Sequence, residues 1–117
     1  MSATVLIVDD HPTFRKFARR LLEQSGFEVV GEAPTATAAL AAARELRPEA
    51  VLLDILLPDR SGIDVARELA EDDEPPAVVL TSSRSEQDLG AVLGETPARG
   101  FIPKATFSGA AFAELVR

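Results

Sequence analysis

The chain has 117 residues, which fits one domain spanning residues 1–117 with a substantial core. Its 46% hydrophobic and 26% charged residues are the balance of a globular protein. The net charge of −7 shows no basic face for nucleic acid, and with no cysteine there is no disulfide framework, thiolate metal site or cysteine nucleophile.

The N-terminus "MSATVLIVDD" lacks a basic n-region and a cleavage site, so it does not read as a signal peptide. Within it, "TVLIV" (4–8) is a β-branched run that predicts a buried strand. Phe14, Phe17, Ala18, Leu21 and Leu22 then recur at helical spacing. Pro12 suits the first helical turn, and Gly26 ends the pattern. "EVVGE" (28–32) predicts a weaker second strand. Thr35 can cap an alanine-rich helix that runs to about Arg47 and is stopped by Pro48.

"AVLLD" (50–54) predicts the third strand. It raises a question, because Asp54 stands among aliphatics, where a buried, unpaired charge costs several kcal/mol. Either Asp54 sits at the exposed end of the strand or it has a buried partner. A helix from about Gly62 to Glu71 carries Val65, Ala66, Leu69 and Ala70 on one face, with Ser61 or Asp59 as its cap. "EDDEPP" (71–76) is an acidic surface loop, and "AVVLT" (77–81) predicts the fourth strand. A short helical pattern with Leu89, Val92 and Leu93 follows, weakened by Gly90 and Gly94. "GFI" (100–102) predicts the fifth strand, and Phe107, Ala111, Leu115 and Val116 mark the last helix. No apolar run approaches the ~18 residues that span a membrane, so a soluble, cytoplasmic protein is expected.

Strands alternating with helices predict an α/β fold: a three-layer α-β-α sandwich around a five-stranded parallel sheet. Ligands of such sheets bind beyond the carboxyl ends of the strands. Those ends carry Asp9 and Asp10, Asp54, Thr81 and Ser82, and, just past the fifth strand, Lys104. Lys104 is one of only two lysines among twelve basic residues, which marks it for attention. Three converging carboxylates repel one another unless their pKa values rise or a cation neutralises them. A hard ion such as magnesium (or manganese) prefers oxygen ligands of this kind. A carboxylate so placed can attack phosphorus, and aspartyl phosphates are established covalent intermediates. Phosphoryl transfer then needs little beyond alignment and charge neutralisation. His11, beside the acidic pair, reads as a surface residue of the loop.

The motifs "VDDHPTFR" (8–15), "LLDILLPDRSG" (52–62), "LTSS" (80–83) and "GFIPK" (100–104) stand in order, each at a strand end. In this the chain resembles, over essentially its whole length, the receiver domain of two-component response regulators. "DDHPTFR" is further similar to the subgroup that often carries a helix-turn-helix output domain. The resemblance implies a flavodoxin-like strand order 2-1-3-4-5. It implies that Asp54 accepts the phosphoryl group and that Asp9 and Asp10, with Asp54 and the backbone carbonyl of Leu56, hold the metal. Lys104 pairs with a phosphoryl oxygen, and Phe101 is the aromatic switch. Ser82 stands 28 residues after Asp54 and 22 before Lys104, spacings that favour it over Thr81 as the conserved hydroxyl. A one-residue slip in the strand would reverse that choice.

Two departures from the family pattern stand out. Pro103 precedes Lys104 and Ala105 follows it, which leaves open whether the bond after Lys104 is cis or trans. Leu56 and Arg84 occupy the positions that tune the lifetime of the phosphoryl group, and neither is a water-orienting carboxylate or amide. Slow self-dephosphorylation is expected.

The resemblance implies a switch without turnover: a stoichiometric phosphoacceptor rather than an enzyme. A histidine kinase, a phosphotransfer protein or a small phosphodonor supplies the phosphate. The face made by the fourth helix, fifth strand and fifth helix then changes, and can serve a homodimer or a downstream protein. No direct nucleic-acid or membrane binding by this chain is expected. The alternative is a pseudo-receiver, an interaction module that takes no phosphate. A phosphohydrolase of the haloacid dehalogenase-like class is disfavoured, because residues 9–11 read Asp-Asp-His rather than Asp-x-Asp. A nucleotide or flavin binder is disfavoured by the missing glycine-rich cradle after the first strand.

Overall fold

The computed structural model describes residues 3–84, 90–94 and 96–117. Five parallel strands form one sheet in the order β2-β1-β3-β4-β5. They are β1 (Thr4–Val8), β2 (Glu28–Ala33), β3 (Ala50–Asp54), β4 (Ala77–Ser82) and β5 (Gly100–Pro103). The helices are α1 (Pro12–Gln24), α2 (Ala36–Leu46), α3 (Gly62–Ala70), a short α4 (Ala91–Gly94) and α5 (Gly109–Val116). Leu89, assigned to the fourth helical pattern from sequence, lies outside the described residues.

Strand alternation divides the core into two layers. On one face Val5, Ile7, Leu52, Val79 and Ile102 pack against Ala18 and Leu22 of α1 and Phe112 of α5. On the other, Leu6, Val8, Val51, Leu53 and Leu80 pack against Ala36 and Ala39 of α2 and Ile63, Val65 and Leu69 of α3. The three central strands are buried on both faces, which is why they read as unbroken apolar runs. Each fully buried Leu, Ile or Val contributes roughly 1.5–3 kcal/mol of transfer free energy.

The boundaries follow the expected signals with local differences. Pro12 opens α1, and Gly26 follows its end with φ +92°. Thr35 caps α2 by accepting the Ala38 N–H at 3.1 Å. Arg47 ends α2 in the left-handed region, φ +46°, where glycine is the usual occupant. Ser61 caps α3, accepting the Ile63 N–H at 3.1 Å. Phe107 is not part of the last helix. It sits between a 3-10 turn over Lys104–Thr106 and α5, buried against Phe14 and Phe112 with ring centroids 5.9 and 6.4 Å away. Its helical spacing reflects burial on the α5 side of the sheet, since the cap Ser108 starts the helix only afterwards.

Candidate functional site

The carboxyl ends of β1 and β3 lie side by side, with β4 and β5 completing the edge. Asp9 follows β1 directly and extends its ladder, donating its N–H to the Ala33 carbonyl at 3.0 Å. Its carboxylate turns back onto the start of α1. Oδ1 accepts the His11 N–H at 2.8 Å and lies 2.9 Å from the His11 Nδ1. Asp10 projects alongside, its side chain 35% exposed, with Oδ1 3.2 Å from the same Nδ1. Arg15, one turn into α1, donates from Nη1 to the Asp9 carbonyl at 2.7 Å and from Nε to Glu32 at 2.9 Å. That fixes the acidic corner against both α1 and β2. The paired guanidinium groups of Arg15 and Arg19 outweigh partial burial and hold the Glu32 carboxyl below its usual range.

Asp54 ends β3 and is 2% exposed. The question its setting raised is resolved in favour of a buried partner, and it has two. Oδ1 accepts the Leu56 N–H at 3.1 Å, and Oδ2 lies 3.2 Å from Lys104 Nζ. The loop that makes this possible is tight. Gly62 donates to the Ile55 carbonyl at 2.7 Å, and Leu56 bridges to Ser61. A Cβ at Gly62 would stand 2.1 Å from the Asp54 carbonyl oxygen. Only glycine lets the loop close over the end of β3.

Lys104 is the keystone of the charge pattern. Its Nζ is 2.7 Å from Asp9 Oδ2, 3.2 Å from Asp54 Oδ2 and 3.4 Å from His11 Nδ1, and it lies 4.7 Å from the centroid of the Phe14 ring. Burial pushes the ammonium down, but the hydrogen bonds and charges of Asp9 and Asp54 outweigh it, so its pKa is raised. For Asp54, burial and then the Asp9 charge raise the pKa, and the Leu56 N–H and Lys104 only partly offset them. The site therefore concentrates more negative charge than one ammonium neutralises. The peptide bond after Lys104 is trans.

The two hydroxyls of β4 divide between the sheet faces. Thr81 pairs with Asp54 across β3 and β4, and it shares the face of Val79 and Leu52. Its hydroxyl donates to the Ile102 carbonyl at 2.7 Å. Ser82 is equally buried but follows the parity of Leu80, and its hydroxyl accepts the Arg84 N–H at 3.1 Å. The strand register thus brings Thr81 beside Asp54, where the residue spacing had pointed to Ser82. Phe101 is half-buried on the opposite face, packed with Leu93 and Ala98 against the α2–α3 core. Leu56 points outward at 49% exposure, and Arg84 is exposed.

The donor set suits a hard divalent cation. Asp9, Asp10, His11 and Asp54 each place one ligand atom within 4.8 Å of the others. Asp9 Oδ2, 2.7 Å from Lys104 Nζ, and Asp10 Oδ1, 3.2 Å from His11 Nδ1, are buried without an aligned hydrogen bond. Such an arrangement of carboxylates fits a magnesium ion that keeps several waters. A shallow apolar depression of about 500 Å³ adjoins the cluster, lined by His11, Thr13, Phe14, Phe17, Ser83 and Lys104.

Sequence reasoning missed Arg15, Phe14 and Asp59 as members or supports of this region. Asp59 does not cap α3. Its Oδ1 accepts the Ala36 N–H at 2.8 Å, and its Oδ2 accepts the Thr37 N–H and hydroxyl, each at 3.0 Å. These partners lie more than 20 positions away in sequence, so no local pattern announces them.

Over most of its length the chain is similar to known proteins. The family model described as "Response regulator receiver domain" matches residues 5–116. The chain is 40% identical over 107 residues to the DNA-binding response regulator MtrA of Mycolicibacterium smegmatis, covering 89% of this chain and 45% of that protein. The chain thus spans about half the length of that relative. It is 32% identical over 104 residues to the chemotaxis protein CheY of Thermotoga maritima, covering 89% of this chain and 87% of that protein. Among solved structures it is similar to the signal receiver domain of the response regulator NarL from Mycobacterium tuberculosis. There the TM-score is 0.89 at 30% identity, over 98% of this chain and 96% of that one.

Proposed function

This chain belongs to the response regulator receiver domain family, and from that membership we propose that Asp54 is the phosphoacceptor of a single receiver domain spanning residues 1–117. The observation that carries the reading is the Lys104 ammonium bridging Asp9 and Asp54 at 2.7 and 3.2 Å, over a carboxylate whose other oxygen is held by the Leu56 N–H.

The chemistry is a displacement at phosphorus. An Asp54 carboxylate oxygen forms the new O–P bond as the donor's P–N bond (phosphohistidine) or P–O bond (a small acyl phosphate) breaks. The leaving group departs with that electron pair. Lys104 leaves its place between the carboxylates to pair with a phosphoryl oxygen, where its charge is needed most. The Thr81 hydroxyl, on the Asp54 face, exchanges the Ile102 carbonyl for another phosphoryl oxygen. Ser82, favoured by spacing, is the competing donor. Magnesium, held by Asp9, Asp10, Asp54 and the Leu56 carbonyl, would supply neutralisation of the incoming phosphoryl charge. Phosphorylation shifts a pre-existing equilibrium, and Phe101 with α4 carries the change to the α4-β5-α5 face.

On this reading the chain is stoichiometric rather than catalytic. Its donor is a histidine kinase, a phosphotransfer protein or a small phosphodonor, met in the cytoplasm. The altered face serves a homodimer or a downstream protein. With a net charge of −7, direct nucleic-acid binding is left to any output domain joined to it. Among the described residues no helix is long and apolar enough to cross a membrane.

Incubation with acetyl phosphate and magnesium, followed by intact mass measurement, tests the assignment. One phosphoryl adduct is expected, absent in Asp54→Ala. No adduct on the unaltered chain would leave the pseudo-receiver reading. Thr81→Val should slow adduct formation at least tenfold while Ser82→Ala changes it little. The reverse order would return the role to Ser82. The exposed Leu56 and Arg84 offer an attacking water no carboxylate or amide to orient it, so the adduct should persist for many minutes. A half-life of seconds would refute that.

A further inference from the structure

His11 was read from sequence as a surface residue, and its ring is indeed 64% exposed. Its Nδ1, however, points inward. It lies 2.9 Å from Asp9 Oδ1 and 3.2 Å from Asp10 Oδ1, and belongs with Asp54 to a set of donor atoms all within 4.8 Å. In an octahedral site with bonds of 2.0–2.1 Å, adjacent ligand atoms stand about 2.9 Å apart. The two separations, of hydrogen-bond and ion-pair length, are also compatible with neighbouring ligands on one ion once the cluster tightens around it. Two further observations favour a ligand over a decorative contact. His11 is the N-cap of α1 but makes no side-chain capping bond, so the ring is not committed to the helix. Asp10 Oδ1 is buried without an aligned hydrogen bond, and its near neighbour is the His11 Nδ1 at 3.2 Å, while Lys104 is spent on Asp9 Oδ2 and Asp54.

From this we infer that His11 is a nitrogen ligand of the metal site and sets its selectivity. The inference rests on the metal reading above and adds to it. An all-oxygen site favours magnesium, whereas imidazole suits first-row transition ions. A mixed site would bind Mn2+ and Co2+ much more tightly than Mg2+, and would be loaded by whichever of them the cell supplies. The Arg15–Glu32 pair helps by holding the Asp9 backbone, which sets where the following imidazole starts.

His11 is the only histidine in the chain, so tag-free protein contains one imidazole. Pulsed electron paramagnetic resonance of the Mn2+-loaded chain is the decisive measurement. The expected result is an imidazole ¹⁴N coupling to Mn2+, lost in His11→Asn. Calorimetric titration should show that the same variant binds Mn2+ about tenfold more weakly and Mg2+ within about twofold of the unaltered chain. Mn2+ bound without nitrogen coupling, or equal losses for both ions, would overturn the role of His11 while leaving the metal site standing. Failure of the unaltered chain to bind either ion would overturn the metal reading itself, and this inference with it.

Discussion

At the scale of single residues the site is governed by contacts that local sequence announces unevenly. Asp54, Asp9 and Lys104 were legible because charged residues at the ends of apolar runs are conspicuous, and the fold brings those ends together. Which of the two hydroxyls would meet a phosphoryl group is not legible from spacing. Thr81 and Ser82 are adjacent and chemically alike, and the difference between them is a matter of strand parity that spacing does not measure. Arg15 was missed because its partner is a backbone carbonyl, which has no residue type to recognise. Gly62 was read as opening α3. Its need to be glycine comes from the neighbouring strand, since an added Cβ would meet the Asp54 carbonyl at 2.1 Å and the Ile55 Cα at 2.9 Å, both backbone atoms that cannot step aside. Gly62→Ala should therefore cost about 3 kcal/mol or more of stability, and should slow phosphorylation by displacing Asp54. Urea unfolding and the acetyl phosphate reaction measure the two effects. A loss under about 0.5 kcal/mol would mean that the loop yields easily.

At the scale of elements, strands and most helices were legible from periodicity and caps, and α2 shows where that ends. Its N-terminus carries the expected Thr35 cap and a second, remote one from Asp59. The carboxylate accepts from two orphan N–H groups, and it benefits from the positive end of the helix. The N–H groups of Thr37 and Ala36 hold the Asp59 carboxyl down at about 2, against a usual 3.8. A depressed carboxyl contributes stability that is fully present above its unfolded pKa and lost as pH falls through the folded one. The Asp59 contribution should thus be complete above pH 4 and disappear toward pH 2. Asp59→Asn should lack that component, seen as the difference between the two pH–stability curves. Amide exchange at Ala36 and Thr37 should quicken in the variant at neutral pH. Identical curves and unchanged exchange would show that Thr35 alone secures the helix.

At the scale of the whole molecule, the three-layer plan and the 2-1-3-4-5 order were expected and are present. The alternation of strands with helices and the double burial of the central strands carry that information. What the pattern alone does not show is how the two cores share the work. Phe112 of α5 stacks edge-on with Phe27 at 5.3 Å on one side, and Val65 of α3 is wholly buried on the other. Phe27→Leu and Phe112→Leu touch one another, so their unfolding free energies should depart from additivity by about 0.5–1.5 kcal/mol. Phe112→Leu and Val65→Ala have the sheet between them and should add to within about 0.5 kcal/mol. Chemical denaturation of the singles and doubles gives both numbers.

That expected independence has a consequence for how a signal would travel. Asp54 and Thr81 belong to one side of the sheet and Phe101 to the other, so on the proposed reading the sheet would separate the place where a message is written from the place where it is read. Side-chain packing offers little conduction across such a partition. The hydrogen bond from the Thr81 hydroxyl to the Ile102 carbonyl is a direct mechanical link. It joins the written side to the main chain of β5, next to Phe101. On the proposed reading the Thr81 hydroxyl gives up that bond for a phosphoryl oxygen, so its loss, with both cores intact, would be what β5 registers.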